Sequence, residues 1–559
     1  MFLTIKLYHK NGEKSVVFNP KSLVNTPLLA ILQSAKVIET KGVIMAKNQL
    51  RLGAILSYIN MAIGSLIPMF YTPVMLQLLG QDEYGLYKLA SSVTSYLSLI
   101  SFGIGSAVVR YFTKYIAEGD KEGEENIFGL FNIIFSIIAA IAVVAGVIIS
   151  LNLNLIYSNS LNQSQLLKMQ ILVIVLTFNI ALSFLCSPQN AAVTSHEKFF
   201  FLQIINILTT VIIPVANLVA LFFGFKSIGL VVSSLLINII VRIAYAIYVR
   251  CVLQLKARYN NLPKNLLKEI LLFSFWIFVA NIVNQLYATT DTLIIGAIPA
   301  LATVGVAVYN IGVTFSSMMS NFSVGLLNVL TPKVNKMVFS NSSNTELTDL
   351  MIRIGRLQCY IVSLVCTGFI AFGRQFIQLW AGTGYEDAYW IALFTMIPSC
   401  VPLVQNVAMN IIVAQNKHRF RSLTYLGIAI ANVIGTVLCV DQFGIIGAAL
   451  VTGLASIVGQ GFVMNWYYWR KIHLEIPRFW KSVVGIFLGP VIMCALTLII
   501  FEFIDFYNII ALFSGIIIYT IIFFTYSWFF VMNDYEKNIF RKPVVSIIRK
   551  FKKKSSDTN

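Results

Sequence analysis

Long apolar runs alternate along the chain with short polar breaks. Read as helices, they give fourteen candidate spans, near 54–79, 85–114, 127–151, 167–187, 200–224, 227–252, 270–297, 303–331, 356–380, 388–414, 422–440, 443–468, 480–501 and 507–531. Crossing a bilayer takes roughly 20 apolar residues. A helix satisfies every backbone N–H and C=O internally, which hydrocarbon demands. Two breaks are thin: GFKS at 224–227 and VDQF at 440–443 each divide a run too long for one crossing.

The polar breaks carry sidedness. One alternating set holds Arg51, Lys114, Lys121, Lys198, Arg250, Arg258, Lys336, Arg356, Lys417, Arg421, Arg470 and Lys481, and the RKFKKK run at 549–554 joins it. The other set holds Asp82, Glu83, Glu386, Asp387, Asp441, Glu502 and Asp505, with Lys168 and Lys226 as its lysines. Basic loops stay cytoplasmic. Both termini are therefore expected in the cytoplasm, with the chain in the cell inner membrane. The outer breaks are short, so no extracytoplasmic domain is expected.

Composition agrees and removes a rival. Of 559 residues 58% are hydrophobic and 11% charged, with mean hydropathy +0.80; a soluble domain carries about 25% charged residues. The net charge of +18 would suit nucleic acid, but the inner breaks account for it. The basic tail reads either as a contact for anionic membrane lipid headgroups or as ordinary inside-positive charge, and no nucleic acid is expected. The seven cysteines are scattered without metal-type spacing, so no metal or cofactor is expected and they read as small buried apolar groups. Residues 1–44 hold six lysines and only short apolar pieces. They read as a loosely ordered cytoplasmic extension or a mis-assigned start before Met45.

The chain partly repeats itself at an offset of 220. Gly85 falls on Gly305, SFGIG at 101–105 on NFSVG at 321–325, Asn190 on Asn410 and Phe200 on Phe420; Asn217 and Asn432 correspond after a small shift. The offset spans six helices, an even number, so the halves keep their orientation and form parallel repeats. The expected fold is an all-α polytopic membrane protein. It has two parallel six-helix lobes, 45–260 and 261–475, then two appended helices in 476–532 and a basic tail over 533–559.

The block LGQDEYGLYKLASSVTSYLSLISFGIGSAVVRYFTKYIAEGDKEG at 79–123 resembles the first hairpin of polysaccharide-repeat-unit (O-antigen, Wzx-type) flippases. These are relatives of MATE-type drug exporters and lipid II flippases. ATTDTLIIGAIP at 288–299 and VGVAVYNIG at 304–312 are similar to the family's seventh and eighth helices. The resemblance covers most of 46–532. It implies a MATE-like fold that flips an isoprenoid-diphosphate-linked glycan by alternating access. It also implies a coupling H+ or Na+ and a polysaccharide polymerase as partner. Such a cargo needs a hydrated cleft for the sugar and arginine forks for the diphosphate.

Ionisable groups inside spans are costly and mark candidate sites. Arg110, Lys88 and Arg242 are candidates for the diphosphate, each weighed against headgroup contact or, for Lys88, pairing with Asp82 or Glu83. Asp291 is the ion-coupling candidate. Arg374 reads as reaching the outer headgroups. Asn281, Asn284 and Asn310 flank the expected cleft and are candidates for sugar hydroxyls, whereas most span asparagines read as interhelical hydrogen bonds. No Gly-Lys dipeptide, HExxH or DxD occurs, and all four histidines lie outside the spans. Those absences disfavour ATP-driven transport, a metal site and a glycosyltransferase. A MATE-type cation antiporter and a lipid II flippase stay open.

Overall fold

The computed structural model describes residues 3–9, 12–18, 42–259, 264–340, 342–415, 417–500, 507–539 and 541. Glu502, Asp505 and the RKFKKK run lie outside them. In place of loose order near the start, Leu3–His9 (β1) and Gly12–Phe18 (β2) pair antiparallel, with Leu3 opposite Phe18. The rest is helical. Among the described residues eleven helices are long and apolar enough to cross a membrane, or twelve when one bent pair counts as a single span.

The first lobe runs α1 (Gly42–Leu79), α2 (Gln81–Ser95), α3 (Ile104–Glu118), α4 (Lys121–Leu151), α5 (Asn154–Tyr157), α6 (Gln163–Ser195), α7 (Phe199–Phe222) and α8 (Lys226–Cys251). The second runs α9 (Lys264–Ala297), α10 (Ala302–Phe339), α11 (Asn344–Ala381), α12 (Ala388–Val404), α13 (Asn406–Ala414), α14 (His418–Ser456) and α15 (Met464–Arg470). α16 (Ile476–Ile500) and α17 (Ile509–Tyr526) follow. Local chemistry sets many starts. The Asp120 carboxylate accepts from Gly123 N–H at 2.8 Å, and Asn162 with Gln165 and Ser343 with Glu346 form capping boxes. Large apolar side chains such as Leu155, Phe222 and Phe530 stay exposed, as lipid-facing positions do.

Two spans depart from a straight crossing. The second is broken: a 3-10 turn over Tyr96–Ser101 leads to Phe102 and Gly103, both left-handed. The tenth bends by 50° between α12 and α13. The first span, Ile55–Leu79, lies where expected within the longer α1. The eleventh and twelfth part at Gly444, whose φ is 58°, directly after the expected break at VDQF and with no loop between the two helical segments.

The lobes meet most closely at the end that carries the acidic breaks. Gln81 donates to the Gly384 carbonyl at 2.8 Å, and Thr303 donates to Asp82 at 2.6 Å. Trp380 Nε1 donates to the Met69 carbonyl at 2.7 Å. Gly85 lies against Thr303 so closely that a Cβ would sit 1.8 Å from the Thr303 carbonyl oxygen. One buried core is continuous there, joining Leu89, Tyr157 and Met169 of the first lobe to Val306, Ile391 and Ala448 of the second. Toward the basic end the first lobe has its own core around Phe112, Phe131 and Tyr245. Along the seam between α2–α3 and α9, Phe102 stacks on Phe278 with centroids 4.3 Å apart. This contact occupies the break in the second span.

The connection between lobes is clasped to the first. Arg258 pairs with Glu125 at 2.7 Å and Glu122 at 3.3 Å. The appended helices are pinned to the second lobe by Arg356, which donates to both oxygens of the buried Glu536 and to the Ser482 carbonyl.

Candidate functional site

Each lobe holds a polar cavity nearer its basic end. The first-lobe cavity has a volume of about 490 Å3 and lies among α3, α6, α7 and α8. Its polar lining includes Asn179, Ser187, Asn190, Asn206, Asn238 and Tyr245. The second-lobe cavity, about 500 Å3, lies among α9, α10, α12, α13 and α14. Asn284, Tyr309, Gln405, Arg421 and Thr452 are among its lining residues. A third cavity, about 310 Å3, is apolar and aromatic. Met69, Phe315, Phe369, Phe376, Trp380 and Tyr519 line it, so it touches both lobes and α17.

Asp291 sits beside the second polar cavity and is 3% exposed. It accepts from Tyr309 at 2.5 Å, Thr452 at 2.6 Å and Thr436 at 3.0 Å. Among the described residues no Lys, Arg or His pairs with it. Asn432, 1% exposed, completes the cluster: its Oδ1 lies 3.1 Å from Thr452 Oγ1, and its Nδ2 has no partner. The cluster is a carboxylate ringed by neutral oxygens, a donor set suited to a proton or a small hard cation.

The other expected residues separate. Arg242 Nη1 is buried without a partner, and the guanidinium lies against the Cys186 sulfur, which lines the first-lobe cavity. Arg110 is exposed one residue beyond Val109, which also lines that cavity. Lys88 lines neither polar cavity. It lies 5.5 Å over the Tyr84 ring, and the expected acid pairing is absent: Glu83 binds Lys168 and Ser227, while Asp82 binds Thr303. Those acids are committed to the lobe ends, which leaves Lys88 the ring face. Asn284 lines the second cavity, but Asn281 does not. Asn310 is spent on Thr292 at 3.2 Å and the Val306 carbonyl at 2.9 Å. Arg374, exposed, lies 5.1 Å over both Tyr389 and Trp390.

Several residues were not singled out from sequence. Arg421, counted there among the inner-loop charges, lines the second cavity with its Nε buried and unpartnered, 4.9 Å over the Tyr425 ring. Tyr309, Thr436 and Thr452 carry no pattern of their own. Tyr71 had a signal: it stands 220 residues before Asp291, the repeat offset. It occupies the matching place in the first lobe. There Asn217 Nδ2 donates to Tyr71 Oη at 3.2 Å, and Ser233 donates to Asn217 Oδ1 at 2.6 Å.

The family model described as polysaccharide biosynthesis protein matches residues 74–390, more than half of the chain. The chain belongs to that family. Among solved structures it is similar to the lipid II flippase MurJ in an inward closed conformation. That match has a TM-score of 0.62 and 16% identity, and covers 85% of this chain and 98% of that one. A multidrug resistance MATE family transporter of the MOP superfamily, in an inward-facing conformation, matches with a TM-score of 0.56 and 14% identity over 77% and 99%. The MATE multidrug transporter DinF-BH matches at 0.54 and 13% over 76% and 96%. No curated protein matches by sequence. This member of the polysaccharide biosynthesis family therefore has the all-α, multi-pass fold of flippases and transporters.

Proposed function

We propose that this protein flips an isoprenoid-diphosphate-linked oligosaccharide repeat unit from the inner to the outer leaflet of the bacterial inner membrane, by alternating access. The observation that carries the reading is the pair of polar cavities, one per lobe, beneath a pinned acidic end: Arg421 lines the second and Arg242 lies beside the first against Cys186, each with a guanidinium nitrogen that is buried and unpartnered. An unpaired guanidinium nitrogen in a membrane is costly unless a ligand or water meets it. A diphosphate supplies several acceptors in fork geometry. Arg242 and Arg421 are the candidate anchors, with Arg110 guiding entry from the inner leaflet. The isoprenoid tail needs no aqueous path, and the apolar cavity touching α1, α10, α11 and α17 gives its proximal part a protein surface.

Asp291 is the proposed coupling group, taking up H+ or Na+. Its cluster changes hydrogen bonding on α9, α10 and both halves of α14 when the ion leaves, which biases the lobe rather than one side chain. No catalytic group is assigned. The cargo handed on at the outer leaflet is a substrate for a polysaccharide polymerase.

The test is a fluorescent isoprenyl-diphosphate disaccharide in proteoliposomes of the full chain, with outer-leaflet exposure followed by a quencher. Ion-gradient-dependent exposure, lost together in Arg242→Ala and Arg421→Ala, is expected. Exposure unchanged by both variants, with efflux of cationic dyes instead, overturns the reading in favour of a drug antiporter.

A further inference from the structure

The cavities of the two lobes are nearly equal in volume but differ in chemistry. The second-lobe cavity touches an acid cluster and an arginine. The first-lobe cavity has no carboxylate in its lining, and its polar surface is mostly amide and hydroxyl. Asn238 donates to Asn179 at 2.8 Å. Asn190 Oδ1 accepts from Thr194 at 3.3 Å, while its Nδ2 reaches Tyr245 Oη only at 3.5 Å, long for a hydrogen bond. Among the described residues the Asn206 amide and the Ser187 hydroxyl have no side-chain partner at all. Unspent amides facing a cavity inside a membrane helix bundle cost free energy unless water or ligand uses them. Interhelical adhesion, the ordinary role of membrane asparagine, does not explain Asn206.

We propose that the first-lobe cavity is a binding site for one uncharged pyranose ring, the sugar next to the diphosphate. This rests on the flippase reading above and goes beyond it by assigning ring recognition to one lobe. A pyranose presents hydroxyls that both donate and accept, on a ring with apolar faces. Asn179, Asn190, Asn206 and Asn238 offer amides of the same dual character. Leu182, Ile205 and Ile213 supply the apolar wall. The volume of about 490 Å3 falls in the range of small-ligand clefts, ~300–1,000 Å3. Placement follows from α8: Asn238 and Arg242 are one turn apart on one face, so a ring held by the amide puts its anomeric phosphate toward the guanidinium. A charged sugar fits poorly, because no charged side chain lines this cavity and Arg242, beside it against Cys186, meets the diphosphate.

Cys186 lines the same cavity and gives a readout independent of transport. The full chain with the exposed Cys251 replaced (Cys251→Ser) is reconstituted in nanodiscs, and maleimide modification of Cys186 is followed by mass spectrometry. The probes are an isoprenyl diphosphate and the same lipid bearing one N-acetylglucosamine. The sugar-bearing lipid is expected to slow modification of Cys186 well beyond the bare lipid. Asn206→Ala with Asn190→Ala should weaken that protection about tenfold, the size of two lost hydrogen bonds. The bare lipid should still bind the double variant; should that variant not fold, Asn206→Ala alone, at a side chain that bonds nothing, is read the same way. Equal protection by both lipids overturns the ring site and leaves the flippase reading standing. Binding of neither lipid overturns both. Cys186 that does not react without ligand shows a closed cavity and overturns the ring site.

Discussion

Tyr71 and Asp291 stand 220 residues apart at matching places in the two lobes, and each is tied to a buried asparagine-and-hydroxyl cluster. In the first lobe the cluster is neutral: Tyr71, Asn217 and Ser233 satisfy one another. In the second, a carboxylate replaces the phenol, and three hydroxyls turn toward it. On the proposed coupling role of Asp291, the same framework serves as a structural pin on one side and an ion-responsive group on the other. Unlike the first-lobe pin, the second-lobe cluster leaves an amide unpartnered, Asn432 Nδ2.

The largest test of this contrast is Asp291→Asn. The side chain keeps its size and loses its charge, so the fold should persist while ion dependence disappears. Coupling between two sites is typically worth about 1–3 kcal/mol, a ~5–150-fold effect, so gradient-driven flipping in proteoliposomes should fall by that factor toward the rate without a gradient. Unchanged ion dependence would remove Asp291 from the coupling role and make the two clusters equivalent pins.

A second, smaller test uses the paired glycines. An added Cβ at Gly85 would meet the Thr303 carbonyl, a backbone atom, at 1.8 Å; at Gly305 it meets Leu301 Cβ at 2.8 Å and two isoleucine methyls at 3.2 Å. The first contact joins the lobes and cannot yield without parting them. Gly85→Ala should therefore destabilise the closed acidic end by about 1–3 kcal/mol, the usual cost of overpacking. Gly305→Ala should cost less. Labelling of Thr303→Cys from outside the cell should rise in the first variant and stay low in the second. Equal labelling would mean that the contact at Gly85 does not hold the lobes together.

Much of this was legible in the sequence because bilayer physics is strict. Apolar runs follow from desolvation cost, so most span positions came from pattern alone. The repeat located Gly85 and Gly305 as counterparts. What the pattern missed depends on a third dimension. Phe102 and Gly103 break a helix where another helix presses against it, and that break leaves no hydropathy gap. Among site residues, Asp291 was visible because a carboxylate inside a span is expensive. Tyr309, Thr436 and Thr452 were not, since hydroxyls are common in membrane helices. Arg421 lies one turn inside α14, where loop, span end and cavity wall are indistinguishable by position. Lys88 was visible for the same reason as Asp291, yet its neighbours Asp82 and Glu83 are spent on Thr303, Lys168 and Ser227.

The smallest expected effect is the sharpest check on the contrast between lobes. Tyr71→Phe removes the phenolic oxygen that accepts from Asn217 at 3.2 Å and leaves the ring in place. Asn217 Oδ1 keeps the Ser233 hydroxyl at 2.6 Å, so one amide hydrogen loses its partner and nothing else moves. Interhelical hydrogen bonds of this kind average about 0.6 kcal/mol in membrane proteins, and the thermal midpoint of the purified protein should fall by a correspondingly small amount. Flipping should keep its full ion dependence, because no charge has changed. If Tyr71→Phe instead uncouples flipping from the ion gradient as Asp291→Asn does, the first-lobe cluster is part of the coupling machinery, and the two lobes work as a matched pair of responsive sites.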